Sequence, residues 1–463
     1  MSLAQLKNKY SLFAVICTSI FFIIIVVLQK KWSHEQVIIW DTVYYYAYLP
    51  ATFIEHDYRM RFVDKDLKNY EEKMRYWTTK LPNGNRITKT TMGVAYFYFP
   101  FFIIAHFLAQ IFDYVPDGFS MPYHLCVQLS GLFFGILGLI FLRKFLLRFF
   151  DDFIIALTLL GIGVGTNIYY YATHEPSMSH IYSFCAISIF LYYYYNWINK
   201  PEIRTSIICG ILAGIICLIR PINFVLVAPL FFIGINPKES FQEKLNFYWT
   251  NRIYFLLIIV GGIISVLPQL LLWKSVTGNF IYYSYNEETF FFSNPYILGG
   301  LIGFRKGWFI YTPIMAIAMF GFYYVYKEMR DYFFVVIFIF FIYSYIAFSW
   351  WCWWYGGSFS SRPMVEFTPL MAIPLAYLIK NIFGNYKLTY KVSFVLLFNI
   401  CIALNIFQTW QKSKAILHFD SMNWEAYQGI FLKTEFPANY DQLLQTPDYE
   451  NALKGQPERI IKN

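Results

Sequence analysis

Asp41 opens the stretch WDTVYYYAYLPATFIEHD, residues 40–57, soon after the chain's first long apolar run at residues 10–28. An acid at the mouth of an apolar bundle is a functional-site candidate, and the plainer alternative is a solvated loop acid. Tyr44, Tyr45 and Tyr46 follow at once, at the depth where aromatic rings anchor in a membrane interface.

A second acidic group is His174-Glu175-Pro176 with His180, on a short loop between two apolar runs. Its spacing is not that of a zinc-binding helix, so the two histidines read as hydrogen-bonding side chains before metal ligands. Glu175 is either a second acid converging on the Asp41 face or a solvated residue of a polar hairpin. Cations form a third group: Lys89, Arg220, Arg305 with Lys306, and Arg362. At a membrane surface such groups suit a phosphate, or simply reach for lipid headgroups. Arg362 follows a segment rich in tryptophan, Trp350, Trp351, Trp353 and Trp354, whose rings suit a sugar face or a bilayer interface. The glycines at 161, 163 and 165 lack the lysine of a phosphate loop and lie in an apolar run, so they read as helix-packing positions.

The elements that must carry these residues are membrane helices. Of 463 residues, 58% are hydrophobic and 14% charged, with 50 Phe and 40 Tyr. Apolar runs of about 20 residues recur along most of the chain, the mark of a polytopic all-α membrane protein. The net charge of +9 comes from short basic clusters between those runs, and no basic stripe with interleaved aromatics points to nucleic acid. Seven cysteines, with no CxxC spacing, make neither a disulfide framework nor a zinc site. The first run is followed by Gln29-Lys30-Lys31-Trp32 and not by a small-residue cleavage site, so it is expected to stay as a helix.

Eleven spans are expected, at about 10–28, 125–142, 153–172, 181–198, 205–220, 222–236, 253–273, 311–326, 331–349, 366–380 and 391–409. Residues 93–112, broken by Pro100, are expected to lie in the interface, because this puts the cluster Arg143, Lys144 and Arg148 inside. The other inner loops then hold Lys200 and Arg204; Lys238, Lys244 and Arg252; Lys327 and Arg330; and Lys380, Lys387 and Lys391. The organisation is a membrane domain over 1–410, with residues 30–121 as a long first outer loop carrying interfacial helices, and an outer tail over 411–463 read as one or two surface helices. That places the protein in the cytoplasmic membrane with its polar loops on the extracytoplasmic face.

The order of these motifs resembles the GT-C superfamily of multi-pass glycosyltransferases, and most nearly bacterial relatives of the protein mannosyltransferases and lipid A aminoarabinose transferases. The matching residues are Asp41, the long first outer loop, Lys89 before GVAYFYFP, Glu175 to His180, GILAGIICLIRP at 210–221, RKGWFIYTP at 305–313 and WWYGGSFSSRP at 353–363. Where the family carries a second acid beside the first, this chain has Thr42. The resemblance implies an inverting transfer of a sugar from a polyprenyl-phosphate donor to a glycan, lipid or protein hydroxyl. Asp41 would be the general base and Glu175 a catalytic partner that orients a substrate. Lys89, Arg305, Lys306 and Arg362 would hold the leaving phosphate. Tyr44, Tyr45, His174, His180 and Trp354 are the expected substrate contacts. No cofactor is required by this reading, and a divalent cation is compatible with it. Two other classes fit the same composition: a transporter or flippase for a lipid-linked sugar, and a non-catalytic subunit of an envelope assembly.

Overall fold

The computed structural model describes residues 9–233, 241–457 and 461–462. Helices dominate, joined by two small two-stranded pieces. Among the described residues six helices are long and apolar enough to cross a membrane: Lys9–His34 (with its short continuation), Gly93–Ile111, Met121–Leu146, Arg252–Thr277, Arg330–Phe348 and Leu388–Ser413. A seventh candidate is the pair Asp152–Gly165 and Asn167–Thr173, bent by 63°. The chain is thus a multi-pass membrane protein, because only a helix satisfies its own backbone groups within lipid in this way.

The remaining expected spans fall on other helices. Ser179–Asn199 carries many tyrosines, Ile203–Ile219 and Pro313–Glu328 are short, and Thr368–Asn385 holds Pro374. The span expected at 222–236 begins as three consecutive short helices, Pro221–Asn223, Phe224–Val227 and Ala228–Phe232, rather than one regular helix. Proline at 221 and 229 interrupts the hydrogen-bond ladder there. Its expected end and Lys238 lie outside the described residues. The span expected at 153–172 is broken at Thr166, whose hydroxyl accepts from the Ile168 amide at 3.2 Å and so caps a new helix.

The bundle has two chemically different ends. At one, Asp152 accepts from the Tyr10 amide at 2.7 Å, and Arg143 donates to Ser11 Oγ at 2.7 Å. At the other, the segment after the first helix folds back, and His124 Nδ1 accepts from the amides of Val37 and Ile38 at 3.2 and 3.1 Å. Asp41, Glu175, Arg220 and Arg362 belong to this second end.

Helix Gly93–Ile111 was expected in the interface, yet it is continuous and long enough to cross. Its two ends nevertheless sit toward the same end of the bundle. Gly93 is pressed against the backbone of Leu218 and Ile219, at the close of Ile203–Ile219. His106, near its other end, lies 2.7 Å from the Tyr123 hydroxyl, at the start of Met121–Leu146. Pro100 is accommodated without a break.

Before this helix, residues 30–92 are tied by polar contacts. Strands Thr78–Lys80 and Arg86–Thr88 pair antiparallel, and Arg86 bridges Asp64 at 3.0 Å and Glu71 at 3.2 Å. The tail holds three short helices, Trp424–Ile430, Tyr440–Leu443 and Tyr449–Leu453, and a strand pair, where one or two helices were expected. It is fixed to the bundle by Gln408, which donates to Tyr427 at 2.7 Å, and by Gln411, which donates to the Ile430 carbonyl at 2.7 Å.

Candidate active site

Asp41 begins the short helix Asp41–Tyr46. The residue before it, Trp40, has φ 51° and ψ −134°. A tryptophan with positive φ is strained backbone, and such strain clusters where a functional group must be held at a set angle. Two hydroxyl contacts fix the helix to the turn that carries His174 and Glu175. Thr42 donates to Ser177 Oγ at 2.9 Å, and Tyr45 to Ser179 Oγ at 3.2 Å.

The Asp41 carboxylate accepts from Arg362 Nη2 at 2.8 Å. The acid side chain is 39% exposed and the guanidinium 18% exposed, so the pair opens to solvent on the acid's side. Burial pushes the Asp41 carboxyl up, but the charge and hydrogen bond of Arg362, with Lys89 and His180 beyond, outweigh it and hold the group below its usual 3.8. Asp41 is therefore a carboxylate at neutral pH. Arg362 heads the turn Arg362–Val365, packs on the Tyr355 ring at 5.6 Å, and keeps its Nε buried without a hydrogen-bond partner. A buried N–H left unmade is costly, and a guanidinium edge suits a phosphate.

Beside this pair lies a second one that sequence reasoning did not anticipate. Glu366 is fully buried. Its Oε1 lies 3.5 Å from Arg220 Nη1 and 3.2 Å from His180 Nδ1, and Tyr343 donates to its Oε2. In the sequence Arg220 stands among the cations and in the stretch GILAGIICLIRP, with nothing to link it to Glu366. Its guanidinium packs on the same Tyr355 ring as Arg362, also at 5.6 Å. No sequence spacing links Glu366 to His180, 186 positions away, and the acid sits at the edge of an apolar run.

Lys89 forms the third pair, with Glu288 of the loop between Arg252–Thr277 and Ile297–Ile302. Trp351 Nε1 donates to the other Glu288 oxygen at 2.9 Å. The Lys89 ammonium stands over the rings of Tyr44 and Tyr285, at 5.7 and 5.4 Å. Tyr44 itself stacks on Trp77.

The other expected site residues lie elsewhere at this end. Glu175 accepts from Tyr170 at 2.9 Å, and its charged neighbours are Lys31 and Lys412 rather than the Asp41 pair. His174 stacks on Tyr170 and contacts Thr173 Oγ1 at 2.8 Å. Burial, helped by Lys31, pushes its imidazole down to about 3, so it is neutral. Lys306 is buried and donates to the carbonyls of Ser358 and Phe419, a brace between the tryptophan-rich segment and the tail. Burial, with Lys412 adding, pushes the Lys306 amine well below its usual value. Arg305 packs on the rings of Trp353 and Trp354 at 5.6 and 5.4 Å, and donates to the Gln445 carbonyl at 3.4 Å. Trp354 is fully buried and offers no face to solvent. The structure thus brings together Asp41, Arg362, Lys89, Tyr44, Tyr45 and His180, and sets Glu175, His174, Arg305, Lys306 and Trp354 among the contacts that hold the tail and the adjoining turn.

These carboxylates are a poor set for a divalent ion. Asp41, Glu366 and Glu288 each face a cationic side chain, and a metal would have to displace it. Among the described residues no group of three or more His, Cys, Asp or Glu side chains is placed to hold a metal.

No protein-family model matches the chain, and no curated protein does. Solved structures do. The chain is similar to the apo oligosaccharyltransferase of Archaeoglobus fulgidus, at 15% identity and a TM-score of 0.47, over 98% of this chain and 61% of that one. It is similar to the archaeal oligosaccharyltransferase AglB from the same organism, in complex with an inhibitory peptide and a dolichol-phosphate, at 14% identity, a TM-score of 0.46 and the same coverage. A form of the enzyme with zinc and sulfate matches at 15% identity and a TM-score of 0.45, over 90% of this chain and 54% of that one. The chain therefore spans about three-fifths of the length of the first two.

Proposed function

We propose that the chain is a membrane glycosyltransferase that moves a sugar from a polyprenyl-phosphate donor to an acceptor hydroxyl, at the end of the bundle that carries Asp41. The observation that supports this most is the Asp41–Arg362 pair, a half-exposed carboxylate held by a guanidinium whose Nε has no partner. In the resting site the two groups satisfy each other. When the donor phosphate engages Arg362 and Lys89, it replaces their carboxylate partners, Asp41 and Glu288. Asp41 is then left as a free carboxylate beside the acceptor. It takes the hydroxyl proton while the acceptor oxygen bonds to the anomeric carbon and the bond from that carbon to the phosphate oxygen breaks. The polyprenyl phosphate leaves with its charge met by the cations, and the anomeric centre inverts.

In this reading the Asp41 end faces away from the cytoplasm, because the basic loops gather at the other end. Eleven crossings, with Gly93–Ile111 lying along the outer leaflet, agree with both of its ends sitting toward that side. The test is single-turnover transfer by the purified protein from a labelled polyprenyl-phosphate sugar, run with envelope glycans, lipids and proteins as acceptors. Label found on one of these classes supports the reading and names the acceptor. Donor that stays intact with every class, while the protein is folded, removes it.

A further inference from the structure

The cluster around Glu366 has the features of a device and not of a brace. A buried ion pair adds little net stability, because desolvating both charges offsets their attraction, and a well-packed apolar pair of the same volume serves a bundle as well or better. Here the carboxylate is fully buried and the guanidinium is not: Arg220 remains 20% exposed. Three groups converge on the acid, Arg220, His180 and Tyr343, so its position is over-determined. Its buried end is closed by protein, and the only arm that reaches toward open space is that of Arg220.

What that arm faces is the Asp41 site. Arg220 and Arg362 pack at equal distance, 5.6 Å, on the ring of Tyr355. Tyr355 has φ 55°, a strained value for a tyrosine, in the turn that delivers the ring to both guanidiniums. Arg220 also belongs to the electrostatic surroundings of Tyr45 and Tyr285, which line the approach to Asp41. Two guanidiniums side by side repel each other, and each needs its own anion to stay. Arg362 has the half-exposed Asp41, which a ligand can replace. Arg220 has Glu366, which no ligand can reach.

We infer that Glu366 is the positioning residue of the phosphate subsite: it anchors Arg220 beside Arg362, so that two guanidiniums rather than one meet the phosphate of the lipid donor. This rests on the donor reading proposed above and extends it to a residue that touches neither donor nor acceptor. Arg220 contributes a fixed charge, and Arg362 a charge released by exchange with Asp41.

The experiment measures binding of two probes to the full chain in lipid nanodiscs, a polyprenyl monophosphate and the polyprenyl alcohol of the same length. Glu366→Gln and Arg220→Met should each weaken binding of the phosphate about 10- to 100-fold, the worth of one charge-assisted contact, and leave binding of the alcohol at the parental level. The double variant Arg220→Met/Glu366→Gln should bind the phosphate no more weakly than Arg220→Met alone, because Glu366 acts only through Arg220. Parental phosphate binding by Glu366→Gln, additive losses in the double variant, or an equal loss for the alcohol would each overturn the inference, the last by assigning Glu366 to bundle packing. If Glu366→Gln does not fold, the charge-balanced double variant decides alone: parental phosphate affinity there overturns the inference. A parent that binds phosphate and alcohol equally well fails the donor reading itself, and this extension falls with it.

Discussion

Asp41 and Arg362 are separated by 321 positions in the chain and by 2.8 Å in the fold. One stands where the chain first leaves the bundle, the other where it enters one of its last long helices. Their contact closes the site, and each masks the other's chemistry. A carboxylate bonded to a guanidinium is a weak base, and a guanidinium bonded to a carboxylate is a weak phosphate clamp. In the proposed mechanism both become active only when the donor phosphate separates them.

Removing the clamp should therefore weaken donor binding without unfolding the protein. Arg362→Ala is expected to raise the dissociation constant for a polyprenyl-phosphate sugar by about 10- to 100-fold, the equivalent of one charge-assisted hydrogen bond. Helical content should be retained, and detergent melting should fall only modestly, since the carboxylate left behind is 39% exposed and regains water. Unchanged donor affinity would assign Arg362 to headgroup contact.

Arg305→Ala separates two roles that the sequence left together. Arg305 lies against Trp353, Trp354 and the Gln445 carbonyl, contacts that join the bundle to the tail. Its loss is expected to lower stability by about 1–3 kcal/mol and to speed protease cleavage within residues 420–457, while donor affinity stays near parental. A loss of donor affinity with an intact tail would restore Arg305 to the phosphate subsite.

Gly131→Ala tests how the turn behind Asp41 is held. A Cβ at Gly131 would overlap the Pro176 carbonyl, in the turn that carries Ser177 and Ser179. Those two serines hold Thr42 and Tyr45. The overlap is expected to destabilise the fold by about 1–3 kcal/mol and to slow transfer by shifting the Asp41 helix. Gly84→Ala, at a tip where nothing lies within 4 Å of the added atom, is the comparison: its φ of 81° strains an added side chain, but the substitution creates no overlap with the turn behind Asp41.

The long apolar helices were legible because composition over about 20 residues is a strong signal. Breaks inside apolar segments were less so. Thr166 ends one helix and caps the next, and Pro221 opens a set of short helices, yet both lie in segments whose overall hydropathy still reads as membrane. Asp41 was legible because an acid so close to an apolar run is conspicuous. Glu366 was not, because it sits four residues past Arg362 at the start of a run rich in leucine and proline, where it reads as a helix boundary. Its partners Arg220 and His180 come from separate elements, and only the fold joins them. Lys306 and Trp354 show the opposite case. Their residue types suited a phosphate and a sugar, but the tail covers them. A tail with mixed charge gives no local sign of where it docks.

Sidedness has its own test. Labels placed near Asn83 and at the end of the tail are expected to report the same, non-cytoplasmic side, while labels near Asp152 and Lys327 report the cytoplasm. A cytoplasmic signal at either of the first two sites would place Asp41 on the wrong face for a lipid-linked donor presented outside.

The last prediction concerns the proton. Asp41→Asn keeps the size of the side chain and can still hydrogen-bond Arg362 through its carbonyl oxygen, so folding and protein level should hold. It can no longer accept a proton, and transfer should fall by about 10²- to 10⁴-fold, the usual worth of a positioned general base. Donor binding should survive or strengthen, since Arg362 loses the anion that competes with the phosphate. The pH profile carries an independent sign. In the donor-free protein Arg362 holds Asp41 below 3.8, so the base form is present there throughout pH 7 to 5; once the donor phosphate takes Arg362 that hold is lost, and any fall in transfer on acidification is expected at a higher pH than the titration of the donor-free pair. The contribution of the Asp41–Arg362 pair to stability follows the same direction: it is present above the unfolded-state value and is lost as the pH drops through the depressed one. Single-turnover transfer by parent and variant over that range measures both effects. Near-parental transfer by Asp41→Asn would take Asp41 out of the chemistry and move the role of base to Glu175, which has its own neighbours Lys31 and Lys412.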